Sequence, residues 1–210
     1  MNIILLILVL AFNLKTNARE SAIEAVDKNN LRVCADPSNL PFSNEKGEGF
    51  ENEIANLLGE KLNIPVVYDF FPQVIGYVRN TLNKKKCDII IGITAGNELV
   101  LNTIPYMRWA YGMVYLKDSG IDVDRPDHPQ LAELSIGVQA GTPPTFVLQR
   151  YNLMGRVRPY NLTFDPRVAV IGETMIEDLI DGLIDIAFMS GPIASHYLNK
   201  KGYDKNKYVF

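Results

Sequence analysis

Few residues in this chain have the types and spacing that chemistry needs. There are two cysteines, Cys34 and Cys87, and two histidines, His128 and His196. The cysteines lie far apart and form no CxxC pair. No other residue stands at ligand spacing to either histidine, so no metal site is expected. Both histidines read as surface or helix residues. No nucleophile–base arrangement and no paired carboxylates are visible, so neither an enzyme nor a cofactor is expected. The densest polar cluster is CADPSNLPFSN, residues 34–44, which follows the short apolar run at 31–33. Pro37 and Pro41 fix its backbone, while Asp36, Ser38 and Asn39 supply polar groups. A loop ordered in advance loses little entropy when it binds a ligand. An ordinary turn between a strand and a helix also favours Asp, Pro and Asn, so the loop alone supports both readings.

Of the 210 residues, 47% are apolar and 21% charged, which suits a chain that buries a core. The formal net charge is −3, and the only basic block is Lys84, Lys85 and Lys86. No basic face for nucleic acid is expected. An apolar run at 2–12 follows Met1 directly and is short for a membrane span. Thr16 and Ala18 are small residues at the two positions that a signal peptidase reads. Residues 1–18 are therefore expected to be a secretory signal peptide, with an uncleaved N-terminal anchor as the alternative. Cleavage would remove Lys15, leave 20 basic against 24 acidic residues, and give a net charge of −4 with no stable membrane span. In an oxidising compartment, an even number of cysteines suggests a disulfide.

The elements that must position these residues alternate between strand and helix. Residues 31–35 read as a strand. Phe50, Ile54, Leu57, Leu58 and Leu62 fall at helical spacing, with Glu51 and Glu53 in the first turn, where the helix dipole favours acids. Asn63 to Pro65 ends that helix, and 66–71 is a β-rich run. Ile75, Val78 and Leu82 mark a second helix whose tail carries the three lysines. Residues 88–93 form an apolar run bounded by turn residues, as in a buried parallel strand. This order predicts a parallel sheet with right-handed crossovers. Residues 110–116 read as extended. The polar stretch 117–129, with a glycine and two prolines, predicts a break between two lobes. The pattern then restarts. Strands are expected at 135–138, 156–160 and 184–189, with a short one at 208–210. Helices are expected from Gly141 to Tyr151, on the face of Met175, Ile176, Leu179, Ile180 and Leu183, and from Gly191 towards Lys200. Ligands of open α/β sheets sit beyond the carboxyl ends of the strands, which places the 34–44 loop at such a site.

The first half resembles the type II periplasmic solute-binding proteins. The residues that carry the likeness are Asp36, Pro41-Phe42, Gly49-Phe50-Glu51, Asp88 to Gly92, Thr94 and Pro105-Tyr106. In the second half, 136–142 and 185–188 match as well. A narrower likeness lies in LRVCADPSNLPFSNEKGEGFENEIA, VRNTL, CDIIIGI, TIPYMRWAYGMVY, IGVQAGTPP, RPYNLT and GPIA. These look like the quinoprotein-dehydrogenase-associated branch, the J component encoded beside PQQ-dependent methanol dehydrogenases (MoxJ and XoxJ type). The resemblance implies a two-lobed α/β fold of the type II periplasmic-binding-protein kind, with parallel-type sheets flanked by helices. It implies a periplasmic, non-enzymatic accessory that assists assembly or activation of a PQQ-dependent methanol dehydrogenase. The dehydrogenase and its c-type cytochrome are the expected partners, with room for a small-molecule ligand. A transport receptor for a small polar solute and an enzyme on the same fold are the rival readings.

Residues 1–18 are then the signal peptide, 19–30 a linker, 31–116 the first lobe and 117–210 the second. Proteins of this class send the chain back to complete lobe one, so the sequence is expected to stop short at its C-terminus and to leave apolar surface of lobe one exposed. The first and third strands of such lobes are neighbours, which brings Cys34 and Cys87 together as a disulfide. Amino-acid receptors of the class carry an arginine soon after the Thr94 position, where it clamps the ligand carboxylate. Gly96 occupies that slot, so tight binding of free amino acids is not expected.

The candidate ligand or partner cleft comprises Asp36, Asn39, Pro41, Phe42, Arg79, Tyr106, Arg108, Gly141, Thr142, Gly191 and Pro192. Arg79 and Arg108 could supply charge or be surface ion pairs. Gly141-Thr142 and Gly191-Pro192 open helices whose free N–H groups suit anions, or are simply capped ends. The cluster Tyr106, Met107, Arg108, Trp109 and Tyr111 has the residue types of protein-binding hot spots. Strand alternation predicts an exposed face carrying Tyr106 and Arg108, with Trp109 and Tyr111 packing inward. The acceptor pattern Asn161 to Thr163 is taken as a chance match for glycosylation.

Overall fold

The structure, a computed structural model, describes residues 27–160, 170–203 and 206–210. The signal-peptide region, most of the expected linker and the Asn161 to Thr163 pattern lie outside the described residues. No helix among the described residues is long and apolar enough to cross a membrane.

In the first lobe, β1 (Leu31–Ala35) lies between β4 (Val66–Phe70) and β5 (Ile89–Ile90), parallel to both. A small antiparallel ribbon, β2 (Ser38–Asn39) and β3 (Ser43–Asn44), follows β1. Helix α1 (Phe50–Leu62) leads to β4, and the short α2 (Tyr77–Asn80) leads to β5. Two fastenings hold β1 to β5. The Arg32 guanidinium donates to both oxygens of Asp88, at 2.5 and 3.1 Å, and the Asp88 N–H returns to the Arg32 carbonyl at 2.9 Å. Cys34 and Cys87 form a disulfide with Cα atoms 5.5 Å apart, buried beside Tyr77 and Val78.

Helix α1 turns a different face inward from the one its leucines suggest. Leu57, Leu58 and Leu62 are exposed, and the buried positions are Glu51, Asn52, Ala55 and Gly59. Gly59 explains the close approach, since a Cβ there would stand 2.5 Å from a Val66 methyl. A larger residue would lift the helix from β4. Asn63 ends the helix in a left-handed conformation, with φ 56°, as short polar side chains allow. Two other elements are shorter than predicted. The helix expected around Ile75 to Leu82 is one turn, with Ile75 exposed, and the apolar run at 88–93 contributes only two residues to the sheet.

The second sheet has the order β10-β6-β9-β7-β8. Here β7 (Ile136–Gln139), β8 (Val157–Tyr160) and β9 (Ile186–Ser190) run parallel, with α3 (Pro143–Arg150) between β7 and β8. Helix α4 (Ile171–Ile180) precedes β9 and α5 (Gly191–Lys200) follows it. Strands β6 (Tyr111–Leu116) and β10 (Tyr208–Val209) complete the sheet, β6 antiparallel to both β9 and β10. The sheet is therefore mixed, and the expected lobe boundary after residue 116 is corrected. β6 belongs to the second sheet. The polar break that suggested a boundary is an excursion whose Ile121, Val123 and Leu131 pack into the second core. The chain crosses between lobes earlier, within 94–110, where it has no regular structure. Alternation showed a strand at 110–116 but not which sheet it joins.

The second lobe repeats the fastening of the first in simpler form. Asp185 accepts the Ser135 N–H at 2.7 Å, and its own N–H donates to the Ser135 carbonyl at 2.9 Å. Asp178, nearly buried, accepts the Tyr160 hydroxyl at 2.5 Å and pairs with Arg158 at 3.1 Å, which ties α4 to β8.

The disulfide closes a loop of 53 residues. Removing it should cost roughly 4 kcal/mol through the released entropy of the unfolded chain. Urea unfolding of the protein with Cys34 and Cys87 both replaced by Ser should show a correspondingly lower midpoint. An unchanged midpoint would mean that the crosslink constrains nothing.

Candidate functional site

The 34–44 loop and the first turn of α1 are built as one unit. The Asp36 carboxylate accepts the N–H groups of Ser38, at 2.8 Å, and Gln73, at 2.6 Å. Its carbonyl accepts the Ser43 hydroxyl at 2.9 Å. Carbonyls of the loop then take the free N–H groups of the helix: Phe50 donates to Pro41 at 3.0 Å and Glu51 to Phe42 at 2.8 Å. Asn52 accepts from Asn44 and Gly49, both at 3.1 Å. Gly49 must be a glycine, because a Cβ there would collide with the Phe42 carbonyl. The stiff loop thus satisfies helix donors that would otherwise be orphaned, and it places the side chain of Glu51 inward.

Beyond the ends of the parallel strands lies a cleft of about 300 Å³ between the lobes. Lobe one contributes Asp36, Ser38, Asn39, Phe42, Glu51, Gln73, Gly92 and Thr94, and the crossing contributes Trp109. The second sheet and its helices contribute Tyr111, Gln139, Gly172, Ser190 and Ile193. Phe42 is the centre of a ring cluster, 5.1 Å from both Phe50 and Trp109. No lysine, arginine or histidine lines the cleft among the described residues.

Glu51 is the unusual group. It is 5% exposed and accepts no hydrogen bond from any described residue. Its space comes from Gly92, where a Cβ would collide with the carboxylate. Burial, and then the negative charge of Asp36, push its carboxyl up to about 8. Asp36 is also raised by burial, but the two N–H groups it accepts pull it back. The Tyr106 hydroxyl, hydrogen-bonded to the backbone of Gly92, is pushed up to about 12 by burial and by Glu51. Across the cleft, the Ser190 hydroxyl is buried without a partner at the start of α5.

The structure brings some of the candidate residues together and not others. Asp36, Asn39 and Phe42 line the cleft. Pro41 stands behind it, using its carbonyl on α1. Arg79 is exposed in a neighbouring hollow with Thr94, Asn97 and Leu99. Thr142 reaches a small side cavity shared with Gln139 and Ser190, and its hydroxyl donates to the Gln139 carbonyl at 2.6 Å. Gly141, Gly191 and Pro192 are not in the lining, although Ser190 and Ile193 beside the latter pair are. Tyr106 and Arg108 also lie outside the lining, and both are exposed. The predicted alternation of faces does not occur, because 106–109 is not a strand. Met107, Trp109 and Tyr111 are exposed too, by 42, 37 and 42%. Gly96 adopts a φ of +83°, with open space where a side chain would be. Glu51, Gln73, Gln139 and Ser190 were not singled out as site residues. For Glu51 the signal was its place beside Gly49-Phe50. For the others sequence carries no signal, because neighbours in space supply their role. Among the described residues no cluster of metal-ligating side chains occurs.

No family model matches the chain. The curated protein MoxJ of Paracoccus denitrificans is 31% identical over 183 residues, covering 82% of this chain and 66% of its own. MoxJ of Methylorubrum extorquens is 30% identical over 200 residues, covering 87% and 64%. The chain thus spans about two thirds of the length of these relatives. The crystal structure of the periplasmic binding protein XoxJ from Methylobacterium extorquens AM1 superposes with a TM-score of 0.67, at 39% identity, over 82% of this chain and 73% of that one. Two α/β lobes with a cleft beyond their strand ends, and this superposition, define a type II periplasmic binding protein fold. Within that class the chain belongs to the MoxJ/XoxJ family.

The raised carboxyl of Glu51 has a consequence for stability. A carboxyl raised on folding favours the native state below its unfolded value, near 4.5, and that advantage is lost as pH rises through about 8. Glu51→Gln should therefore melt with the parent protein at pH 4 and above it at pH 9. Equal melting temperatures at pH 9 would show that the ionised group is accommodated.

Proposed function

We propose that the protein is a non-catalytic periplasmic accessory of a PQQ-dependent methanol or alcohol dehydrogenase, assisting assembly or activation of that enzyme. The observation that carries this reading is membership of the MoxJ/XoxJ family at 39% identity to a periplasmic binding protein. The apolar run at 2–12 and the buried disulfide agree with export to an oxidising compartment. The dehydrogenase and its c-type cytochrome are the partners proposed.

The crossing between the lobes suits a protein partner. Tyr106, Met107 and Arg108 stand exposed together, and no ion pair engages Arg108 among the described residues. Aromatic, Met and Arg side chains on an accessible segment are the types that dominate binding energy. A transport receptor is the second reading, favoured by the cleft itself. It would require closure on a solute and delivery to a membrane permease, and the dehydrogenase would then be ignored.

Mixing the protein with the dehydrogenase of its own organism and measuring association by surface plasmon resonance tests the proposal. Binding is expected, and Arg108→Ala should weaken it by roughly 1–3 kcal/mol with an unchanged melting temperature. No association with the assembled or the unassembled enzyme would overturn the accessory role. Wild-type binding by the variant would move the interface elsewhere.

A further inference from the structure

The cleft has an electrical character that its general shape does not require. Two carboxylates, 8 and 5% exposed, stand at the lobe-one wall. Asp36 is held by two N–H groups, but Glu51 has none. A buried carboxylate without donors is costly in an empty site and is relieved by a cation. No described residue supplies one, since no lysine, arginine or histidine among the described residues lines the cleft. The rings of Phe42, Trp109 and Tyr111 border the same space. Aromatic rings attract organic cations through their quadrupoles and cover alkyl groups. Independently, the buried Ser190 hydroxyl on the opposite wall lacks a partner and can accept an N–H.

We infer that the cleft binds a small organic cation of the alkylammonium class, between the Asp36 and Glu51 carboxylates, the rings of Phe42 and Trp109, and the Ser190 hydroxyl. The ligand lacks a carboxylate. An α-carboxylate would need a cationic clamp, and no basic side chain among the described residues lines the cleft. An inorganic cation would leave the rings unused. Anions are disfavoured by Asp36 and by the lack of a basic side chain among the described lining residues. The argument rests on residues of the cleft lining, which does not include Arg108, so this inference stands whether or not a dehydrogenase is the partner.

Binding is coupled to a proton. With the cleft empty, Glu51 holds its proton through neutral pH. The groups that bear on it are Asp36 from the loop after β1 and Tyr106 from the crossing, with Tyr77 of α2 sensing both acids. None is cationic, so the arriving ammonium is the charge that releases the proton.

Isothermal titration of the intact protein with methylammonium, butylammonium and tetramethylammonium chlorides tests this, with potassium chloride, sodium acetate, phosphate and arginine as controls. At least one organic cation should bind tenfold or more tightly than every control. Titration in two buffers of different ionisation enthalpy at pH 7 should show release of about one proton. Glu51→Gln should abolish that release and weaken binding at least tenfold. Trp109→Leu should weaken binding while keeping the release, which separates a site effect from misfolding. Binding of acetate or phosphate in preference, tighter binding of arginine than of any amine, or no organic cation bound below 10 mM would each overturn the inference.

Discussion

The carboxyl end of β1 carries the stiff loop that brings both acids of lobe one, Asp36 directly and Glu51 through α1, to the cleft. The strand is pinned near both ends, by the Arg32 pair with Asp88 at its start and by the bond from Cys34 to Cys87 near its carboxyl end. The ion pair is about four-fifths buried and doubly hydrogen-bonded, which makes it a positioning contact more than an energetic one. The crosslink limits how far the strand can move relative to β5. With the strand fixed, Asp36 can sit where it accepts two N–H groups, and the loop can reach the start of α1. The cysteine at the edge of a stiff polar loop is the anchor from which that loop is cantilevered.

The same logic recurs with different parts in lobe two. An aspartate just before a neighbouring strand, Asp88 before β5 in one lobe and Asp185 before β9 in the other, grips the backbone where the lobe's first parallel strand begins. Only lobe one adds a guanidinium and a disulfide. Lobe two relies on larger apolar clusters on both faces of its sheet. The smaller sheet, with little core of its own, carries the covalent link, as expected where burial alone stabilises less. The polar excursion between β6 and β7 also serves the second core, which is why it is not a linker.

Much of this was legible from residue patterns, and the failures have physical causes. The order of strands and helices, the disulfide and the loop at a strand end follow from periodicity, cysteine parity and turn chemistry. Helix α1 was found but rotated, because the count of leucines outweighed Gly59, whose lack of a side chain sets the true contact. β6 was found but assigned to the wrong lobe, because strand pairing is decided by partners that are distant in the chain. Glu51 looked like a residue serving the helix dipole. Its burial depends on Gly92, forty-one positions away, and no local pattern reports such a pairing. Arg79 and Arg108 drew attention as charges, yet charge alone does not say which way a side chain faces.

Phe210 illustrates how tightly distant positions can be bound together. Its ring lies over Gly112 in β6 and Gly191 at the start of α5, where added Cβ atoms would stand 2.7 and 2.8 Å from it. Gly112 is in register with Met189, and Ser190 of the cleft follows directly. The ring therefore occupies a mould made by two absent side chains. In sequence variation among relatives, residues 112, 191 and 210 should tend to change together. A bulkier residue at either glycine has to push the half-exposed ring of Phe210 aside.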